Sequence, residues 1–322
     1  ALNKARAIAQ ALLLRGLSPD HPVLILSEND LNHALLALGC MLAGVPWSPA
    51  SPAYSTISTD YSKLRHVVNT LTPGLVFASD ASRYGKAVLA TIARDVEVVL
   101  ATGTVGGLYS RPFAELLHTV ATSAVDRAIA ATDPDTIVKF LFTSGSTKLP
   151  KAVINTQAMW CANQQQMRQS MPVLTELPPV LVDWLPWNHT FGGNHNCGMV
   201  LYNGGTMYID EGKPVPALIG ETLRNLREVA PTWYFNVPVG FEAIANAMQT
   251  DAELRRNFLS RVRQLFYAGA ALAQPIWDSL YAAAEQEYGE RVVMTAGLGM
   301  TDRIGRAMAI ASYDSPSTAG TR

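Results

Sequence analysis

Short apolar runs rich in β-branched residues alternate along the chain with amphipathic stretches of helical periodicity. The runs predict strands at Val23–Leu26, Leu75–Ala78, Val96–Leu100, Ile137–Phe142, Val180–Trp184, Thr206–Ile209, Trp233–Val237, Leu265–Ala268 and Val292–Thr295. The clearest helical patterns are Ala5–Arg15, Leu31–Ala43, Pro216–Val229 and Pro275–Glu287. Strands that alternate with helices in this way predict an α/β fold with layered, largely parallel sheets flanked by helices.

The overall charge and the cysteine pattern narrow the functional class. The chain has 322 residues, a formal net charge of −1 and 48% hydrophobic residues. A near-neutral chain lacks the electrostatic attraction that nucleic acids and anionic membranes require. Its longest apolar stretch, Ala34–Trp47, is shorter than the roughly 20 residues of a membrane span. Three widely spaced cysteines, Cys40, Cys161 and Cys197, indicate a reducing, cytoplasmic location and core packing rather than disulfides.

Segments rich in proline, serine and threonine predict where subdomains and loops begin and end. We expect a first α/β subdomain over residues 1–132 and a second over residues 133–322, because the Thr132–Pro134 region separates two sets of strands. The segment Trp47–Ser58, rich in proline and serine, predicts a loop, and the tail after Tyr313 predicts irregular structure.

Residues 142–153, FTSGSTKLPKAV, form the most distinctive motif of the chain. They follow a predicted buried strand and combine small polar residues with Lys148 and Lys151. Small side chains let backbone N–H groups approach a polyphosphate closely, and the hydroxyl and ammonium groups can bind its oxygens. The alternative interpretation is a Ser/Thr/Gly linker. Neither G-x-x-x-x-G-K-[ST] nor G-x-G-x-x-G occurs in the chain, so the common nucleotide-binding motifs are absent.

This segment resembles the phosphate loop of the adenylate-forming superfamily, T-S-G-S-T-G-x-P-K-G, whose members include acyl-CoA synthetases, luciferases and adenylation domains. Lys148 and Ala152 stand where that family usually has glycine. The resemblance implies that ATP phosphates are bound by Lys151 and by the matching residues Thr143, Ser144, Gly145, Ser146 and Thr147.

Residues 184–198, WLPWNHTFGGNHNCG, combine flat apolar side chains with a few polar groups, as ligand pockets do. The alternative is a hydrogen-bonded histidine beside an apolar wall. The superfamily has an aromatic/histidine motif at this distance from its phosphate loop, and the resemblance implies that His189 lies between the acyl carboxylate and the phosphate. His195 lacks the spacing of a helical zinc site and is expected to be either structural or a lesser part of the pocket. Trp187, Phe191 and Tyr234 are either walls of an acyl pocket or core aromatics.

Two further strand ends run into small residues. The first, LFYAGAAL, resembles the superfamily segment that borders adenine and the acyl group, which implies roles for Gly269, Ala270 and Ala271. The second, TAGLGMTD, resembles a segment in which an aromatic residue is followed by Gly-x-Thr-Glu. This resemblance implies nucleotide contacts from Gly297, Leu298 and Gly299, an α-phosphate contact from Thr301 and a magnesium ligand in Asp302, where the family has glutamate.

These segments follow the family order, and with the early pattern around Val23–Ser27 the resemblance covers most of the chain, fading after Asp302. The motif WNHTFGGNH is most similar to the corresponding motif of feruloyl-CoA synthetase-type acid–CoA ligases. The family's ribose-binding Thr-Gly-Asp segment, hinge and small C-terminal domain with a catalytic lysine have no counterpart, since the last lysine is Lys213. We therefore expect the large N-terminal domain of a longer enzyme, which adenylates poorly by itself.

The function implied is ATP-dependent activation of a small carboxylic acid, hydroxycinnamate-like, through acyl-AMP to acyl-CoA, with ATP/AMP, Mg²⁺ and coenzyme A as cofactors. Two alternatives stay open, an adenylation domain that loads a carrier protein and a non-catalytic nucleotide- or acyl-binding fragment. The absence of a G-x-S-x-G elbow argues against an α/β-hydrolase.

Overall fold

The structure, a computed structural model, describes residues 1–143 and 149–299, Thr301 and Met308–Ser312, with Leu298 and the last segment described by their backbone alone. Within this part the chain forms two compact units. The first contains Ala1–Trp160 and Pro186–Thr190, and the second contains Cys161–Leu185 and the chain from Phe191. These units divide the chain at different residues from the predicted subdomains 1–132 and 133–322, whose boundary stays a prediction.

The first unit is built on a seven-stranded sheet of order β5-β4-β3-β1-β2-β6-β7. All neighbouring strands are parallel except β6 and β7, which are antiparallel. The strands are β1 (Val23–Leu26), β2 (Trp47–Pro49), β3 (Leu75–Asp80), β4 (Glu97–Thr102), β5 (Ser110–Pro112), β6 (Ile137–Thr143) and β7 (Lys151–Thr156). The helices are α1 (Leu2–Leu14), α2 (Leu31–Ala43), α3 (Ala53–Thr56), α4 (Ser62–Leu71), α5 (Ala81–Thr91), α6 (Ala114–Leu117) and α7 (Ser123–Ala130).

The central strand β1 has the sequence VLIL, and all four of its residues are buried. Such a continuous apolar run is typical of a parallel strand that is covered on both faces. After β1, the carboxylate of Asp30 caps α2 by accepting a hydrogen bond from the His33 backbone N–H at 2.8 Å. The connection between the carboxyl end of β1 and the start of α2 consists of four polar residues, 27–30.

The second unit contains a four-stranded sheet of order β10-β11-β12-β13 and a separate parallel pair, β8 and β9. In the larger sheet only β12 and β13 are antiparallel. The strands are β8 (Val180–Asp183), β9 (Thr206–Ile209), β10 (Trp233–Asn236), β11 (Gln264–Ala268), β12 (Val293–Gly299) and β13 (Met308–Ser312).

Helices alternate with these strands. A 3₁₀-helix spans Pro172–Thr175 and a π-helix spans Phe191–Asn196, and the α-helices are α9 (Cys197–Tyr202), α10 (Ile219–Glu228), α11 (Pro238–Met248), α12 (Ala252–Leu259) and α13 (Gln274–Tyr288). Helix α8 (Gln157–Ser170) begins in the first unit and continues into the second. No helix in the described part of the chain has the length and apolar character that crossing a bilayer requires.

The predicted fold class, α/β with mostly parallel sheets flanked by helices, is confirmed. The loop predicted over Trp47–Ser58 is wrong in part, since β2 and the one-turn helix α3 lie within it. Strand β2 forms there because Trp47 is buried and pairs with both β1 and β6. Core packing is also wrong for Cys161, which is exposed, whereas Cys40 is buried and none of the three cysteines forms a disulfide. The predicted irregular tail lies outside the described residues.

Candidate functional site

The predicted phosphate loop joins β6 to β7, the antiparallel edge of the first sheet. Thr143, the last residue of β6, is the cross-strand partner of Lys151, the first residue of β7. Thr143 is half-buried and Lys151 is exposed. The loop residues predicted to bind phosphate, Ser144, Gly145, Ser146 and Thr147, lie outside the described residues, as does Lys148. The structure thus describes the two ends of the predicted loop.

Two side chains distant in sequence attach to this hairpin. The Ser48 hydroxyl donates to the Phe140 carbonyl at 2.9 Å, and His66 Nε2 lies 2.8 Å from the Pro150 carbonyl. Since a carbonyl only accepts, Nε2 of His66 carries the proton. His66 therefore fixes the residue that directly precedes Lys151, and sequence reasoning did not identify it.

Lys139, in the middle of β6, is buried, which is rare for lysine. Its ammonium group lies 3.9 Å from the centre of the Trp160 ring and 5.4 Å from that of Trp47. Cation–π attraction partly replaces the water that the ammonium has lost. The strand that leads into the predicted loop is thereby held against aromatic side chains.

His189 lies in the short segment Pro186–Thr190 of the first unit. Its backbone N–H donates to the Pro186 carbonyl at 3.0 Å, which closes a turn. Its side chain reaches solvent, yet surrounding protein partly desolvates the imidazole and lowers its pKa. Two positions earlier, the backbone N–H of Trp187 donates to Asn29 Oδ1 at 3.0 Å.

His195 is buried in the π-helix of the second unit, as expected for a structural histidine. Its ring packs at 4.9 Å from Phe235 and 5.2 Å from Phe266, and its Nδ1 lies 2.7 Å from Asn196 Oδ1. Burial lowers the pKa of His195 to about 4, so the ring is neutral at pH 7. In this state Nδ1 carries the proton and donates to Asn196.

A pair of buried carboxylates ends the parallel strands β8 and β9. Asp183 accepts hydrogen bonds from Asn196 Nδ2 at 3.0 Å and from the Leu185 N–H at 3.3 Å. The pKa of Asp183 is raised to about 7, chiefly by burial and to a smaller extent by the nearby charge of Asp210, while the hydrogen bonds from Asn196 and Leu185 act in the opposite direction. Asp210 accepts from Thr222 Oγ1 at 2.6 Å and from two other donors. Sequence reasoning missed this pair, although an aspartate that ends a strongly apolar strand is a recognisable signal.

The other predicted site residues meet at one edge of the second sheet. Strands β11 and β12 are parallel, and Ala268 pairs with Gly297, so their carboxyl ends lie side by side. Ligands commonly bind at this edge in α/β sheets. Gly269 has a φ of 93° and is exposed, as are Ala270 and Ala271, which follow it.

At the end of β12, Gly299 is exposed and Thr301 is half-buried, while Leu298 is described by its backbone alone. Gly297 has a structural reason to be glycine, because a Cβ atom there would collide with the Phe266 ring. Asp302, the predicted magnesium ligand, lies outside the described residues. Among the residues that are described, no group of three or more His, Cys, Asp or Glu side chains could hold a metal ion.

The three candidate wall aromatics differ in their surroundings. Tyr234 is 1% exposed and packs edge-on against Phe241 and Phe258, with ring centres 5.8 and 5.0 Å away. It is therefore a core aromatic, which is one of the two alternatives that the sequence left open for this residue. Trp187 is buried, whereas Phe191 is half-buried beside His195.

Comparison of the sequence with models of known protein families identifies the family of this chain. The model of the AMP-binding enzyme family matches residues 1–321. The chain belongs to the AMP-binding enzyme family. The match extends beyond Asp302, where the sequence resemblance was expected to fade, so that expectation is wrong. This AMP-binding chain accordingly belongs to the superfamily that its motifs indicated.

Individual relatives are distant. A long-chain-fatty-acid–CoA ligase from Mus musculus is 23% identical over 277 residues, which are 83% of this chain and 40% of the relative. A methyl-dioxo-octahydro-indenyl propanoyl:CoA ligase from Rhodococcus jostii is 25% identical over 215 residues, 64% of this chain and 41% of the relative. The chain thus spans less than half the length of these curated relatives.

Among solved structures, a benzoate CoA ligase from Burkholderia xenovorans LB400 superposes with a TM-score of 0.73 at 20% identity. The superposition covers 94% of this chain and 55% of that one. At this identity the similarity establishes a shared fold.

Proposed function

We propose that this chain belongs to an AMP-forming acid–CoA ligase and that it carries the ATP- and acid-binding groups. In the first step a carboxylate oxygen of the substrate attacks the α-phosphorus of ATP, and the bond to pyrophosphate breaks. In the second step the thiol of coenzyme A attacks the acyl carbon of the acyl-AMP, losing its proton, and AMP leaves. The observation that carries the proposal is the pairing of Thr143 with Lys151 at the base of the loop, in a chain that the family model matches almost throughout.

The phosphate groups are assigned to the hairpin. Lys151 supplies a positive charge, and the side chains and backbone N–H groups of Thr143, Ser144, Gly145, Ser146 and Thr147 supply donors. The exposure of Lys151 supports this role, since its ammonium group is accessible to an anion. Because both reactants are anionic, positioning and charge neutralisation are the main contributions of the protein to the first step.

His189 is assigned to the carboxylate. A lowered pKa keeps the imidazole neutral at pH 7, so it can donate one N–H hydrogen bond and orient the attacking oxygen. Thr301 donates its hydroxyl to the α-phosphate. Asp302 would hold Mg²⁺, which neutralises phosphate charge when bound.

The nucleotide base is assigned to the edge of the second sheet. Gly269, Ala270 and Ala271 after β11, with Gly297, Leu298 and Gly299 in β12, would form its platform. The exposure of the residues after β11 supports this assignment, because small side chains leave the backbone accessible to a flat ring.

For the acid we propose an aromatic, hydroxycinnamate-like substrate of the feruloyl type. The similarity to a benzoate CoA ligase and to a ligase of a bicyclic acid supports a cyclic acid. The similarity to long-chain-fatty-acid–CoA ligases favours the second candidate, a fatty acid. Acid-dependent exchange of labelled pyrophosphate into ATP, measured with ferulate, benzoate and palmitate, decides between them.

Calorimetric titration with ATP and Mg²⁺ tests the nucleotide assignment. We expect Lys151→Ala to weaken binding at least tenfold, whereas Lys86→Ala, at another exposed lysine, leaves it unchanged. Equal ATP affinity in the wild type, Lys151→Ala and Lys86→Ala would contradict the assignment of the phosphates to Lys151 and its hairpin. Binding by the wild type without any exchange would favour a non-catalytic nucleotide-binding fragment.

The proposal also covers the molecule that accepts the acyl group and the cellular location of the protein. We propose coenzyme A as the acceptor and a cytoplasmic location. Product analysis with coenzyme A and with a phosphopantetheinylated carrier protein separates a CoA ligase from an adenylation domain that loads a carrier.

A further inference from the structure

The segment Pro186–Thr190, which carries His189, belongs to the first unit although the residues on both sides of it belong to the second. The segment contacts other residues of the first unit. Two such contacts converge on Trp187, from Asn29 and from His33.

The first contact is a hydrogen bond. The backbone N–H of Trp187 donates to Asn29 Oδ1 at 3.0 Å. Asn29 is half-buried and lies between the end of β1 and the start of α2. The buried strand β1 ends at Leu26 and the capped helix α2 begins at Leu31, so the Asn29 amide lies in a short connection between two elements of the first unit.

The second contact is aromatic. The His33 ring meets the Trp187 ring edge-to-face, with centres 5.0 Å apart and an interplanar angle of 80°. His33 is itself fixed, because its Nδ1 lies 3.2 Å from the Glu28 carbonyl and its N–H donates to Asp30. Burial lowers the pKa of His33 to about 4, so the ring is neutral at pH 7 and Nδ1 donates to the carbonyl.

We infer that Asn29 and His33 are positioning residues for His189, an inference that rests on the proposed function. The Pro186–His189 turn is closed by a backbone hydrogen bond, and Trp187 lies inside it. A displacement of Trp187 therefore displaces His189 as well. A shift of about 1 Å in a reacting group can lower a rate about 100-fold.

Hydrogen exchange tests the attachment without requiring catalysis. Asn29→Leu removes the acceptor, whereas Asn29→Asp keeps an oxygen at the same place. We expect amide exchange at Trp187 and His189 to accelerate at least tenfold in Asn29→Leu and to return toward wild type in Asn29→Asp, with β6 unchanged in both. Wild-type exchange in Asn29→Leu would overturn the inference. If Asn29→Leu does not fold, Asn29→Ala removes the same acceptor without added bulk.

Kinetics test the consequence for His189. In pyrophosphate exchange we expect Asn29→Leu to lower kcat about tenfold while the KM for ATP stays unchanged. In a His189→Ala background the same substitution should have no further effect, because no imidazole remains to be positioned. An equal loss in both backgrounds would assign Asn29 a structural role and overturn the inference. If the wild type neither exchanges pyrophosphate nor binds ATP, the proposed function fails, and hydrogen exchange still decides whether Asn29 holds the segment.

Discussion

Thr143 and Lys151 face each other across the antiparallel strands β6 and β7, so the predicted phosphate loop is closed at its base by a pair of backbone partners. This cross-strand pair defines the two ends of the loop and fixes the position of the Lys151 backbone, from which its side chain extends. The hairpin is also attached to the rest of the first unit by His66 and Ser48. These attachments lead to the first prediction.

Replacing His66 should weaken ATP binding through the hairpin. His66→Phe removes the donor to the Pro150 carbonyl, which is the peptide group next to Lys151. We expect ATP affinity to fall several-fold and the free energy of unfolding to fall by about 1 kcal/mol. His66→Gln, which retains an N–H donor, should recover part of both. Calorimetry and urea unfolding measure the two effects, and unchanged ATP affinity in His66→Phe would contradict the link.

Asp183 should make stability depend on pH. Its pKa of about 7 in the fold lies above the ordinary value of 3.8, so the folded protein binds an additional proton between these values. The contribution of Asp183 to the free energy of unfolding is therefore fully present below about pH 4 and is lost as the pH rises through 7. His33 and His195 have pKa values that are lowered to about 4 in the fold, so the unfolded chain binds more protons than the folded protein between about pH 4 and pH 6.5. Their stabilising contribution is therefore lost as the pH falls through this range.

The comparison with Asp183→Asn isolates this effect. Between pH 5 and pH 8, the stability of the wild type relative to the variant should fall by on the order of 2 kcal/mol, since one pKa unit corresponds to about 1.4 kcal/mol. Urea unfolding of both proteins across this range measures it. A constant difference between them would show that Asp183 does not titrate there.

Gly297→Ala should destabilise the second unit. A Cβ atom at this position would meet the Phe266 ring, which is 1% exposed and packs among Phe191, Phe235 and His195. Overpacking of this kind costs about 1–3 kcal/mol. Gly299→Ala is the matched control, because a Cβ atom there meets no atom of the described residues within 4 Å and the residue lies in the same strand. Similar melting temperatures for the two variants would contradict the steric explanation.

Tyr234→Phe should lower stability and leave the choice of acid unchanged. Asn236 Nδ2 donates to the Tyr234 hydroxyl at 3.0 Å inside the core, and the variant leaves this donor without that acceptor. We expect a loss of about 1–2 kcal/mol on urea unfolding. The relative exchange rates with ferulate, benzoate and palmitate should match those of the wild type. A changed preference would return Tyr234 to the wall of the acyl pocket.

The sequence predicted the strands and helices well because their patterns are local. VLIL at β1 and the helical period of α2 specify elements that the structure reproduces at the same residues. The segment around Trp47 was mistaken for a loop because proline and serine dominate its composition. The strand there depends on pairing with β1 and β6, and the sequence does not encode such pairing locally.

The sequence by itself determined the α/β class, the family and the motifs that carry the proposed chemistry, because periodicity and short motifs are properties of neighbouring residues. Only the tertiary structure decided that His66 holds Pro150, that Asn29 holds Trp187 and that Asp183 is buried beside Asn196. The first two contacts join residues 84 and 158 positions apart. Their physical basis is the folding of distant segments into one compact unit, which brings donors and acceptors within hydrogen-bonding distance and removes water that would otherwise satisfy them.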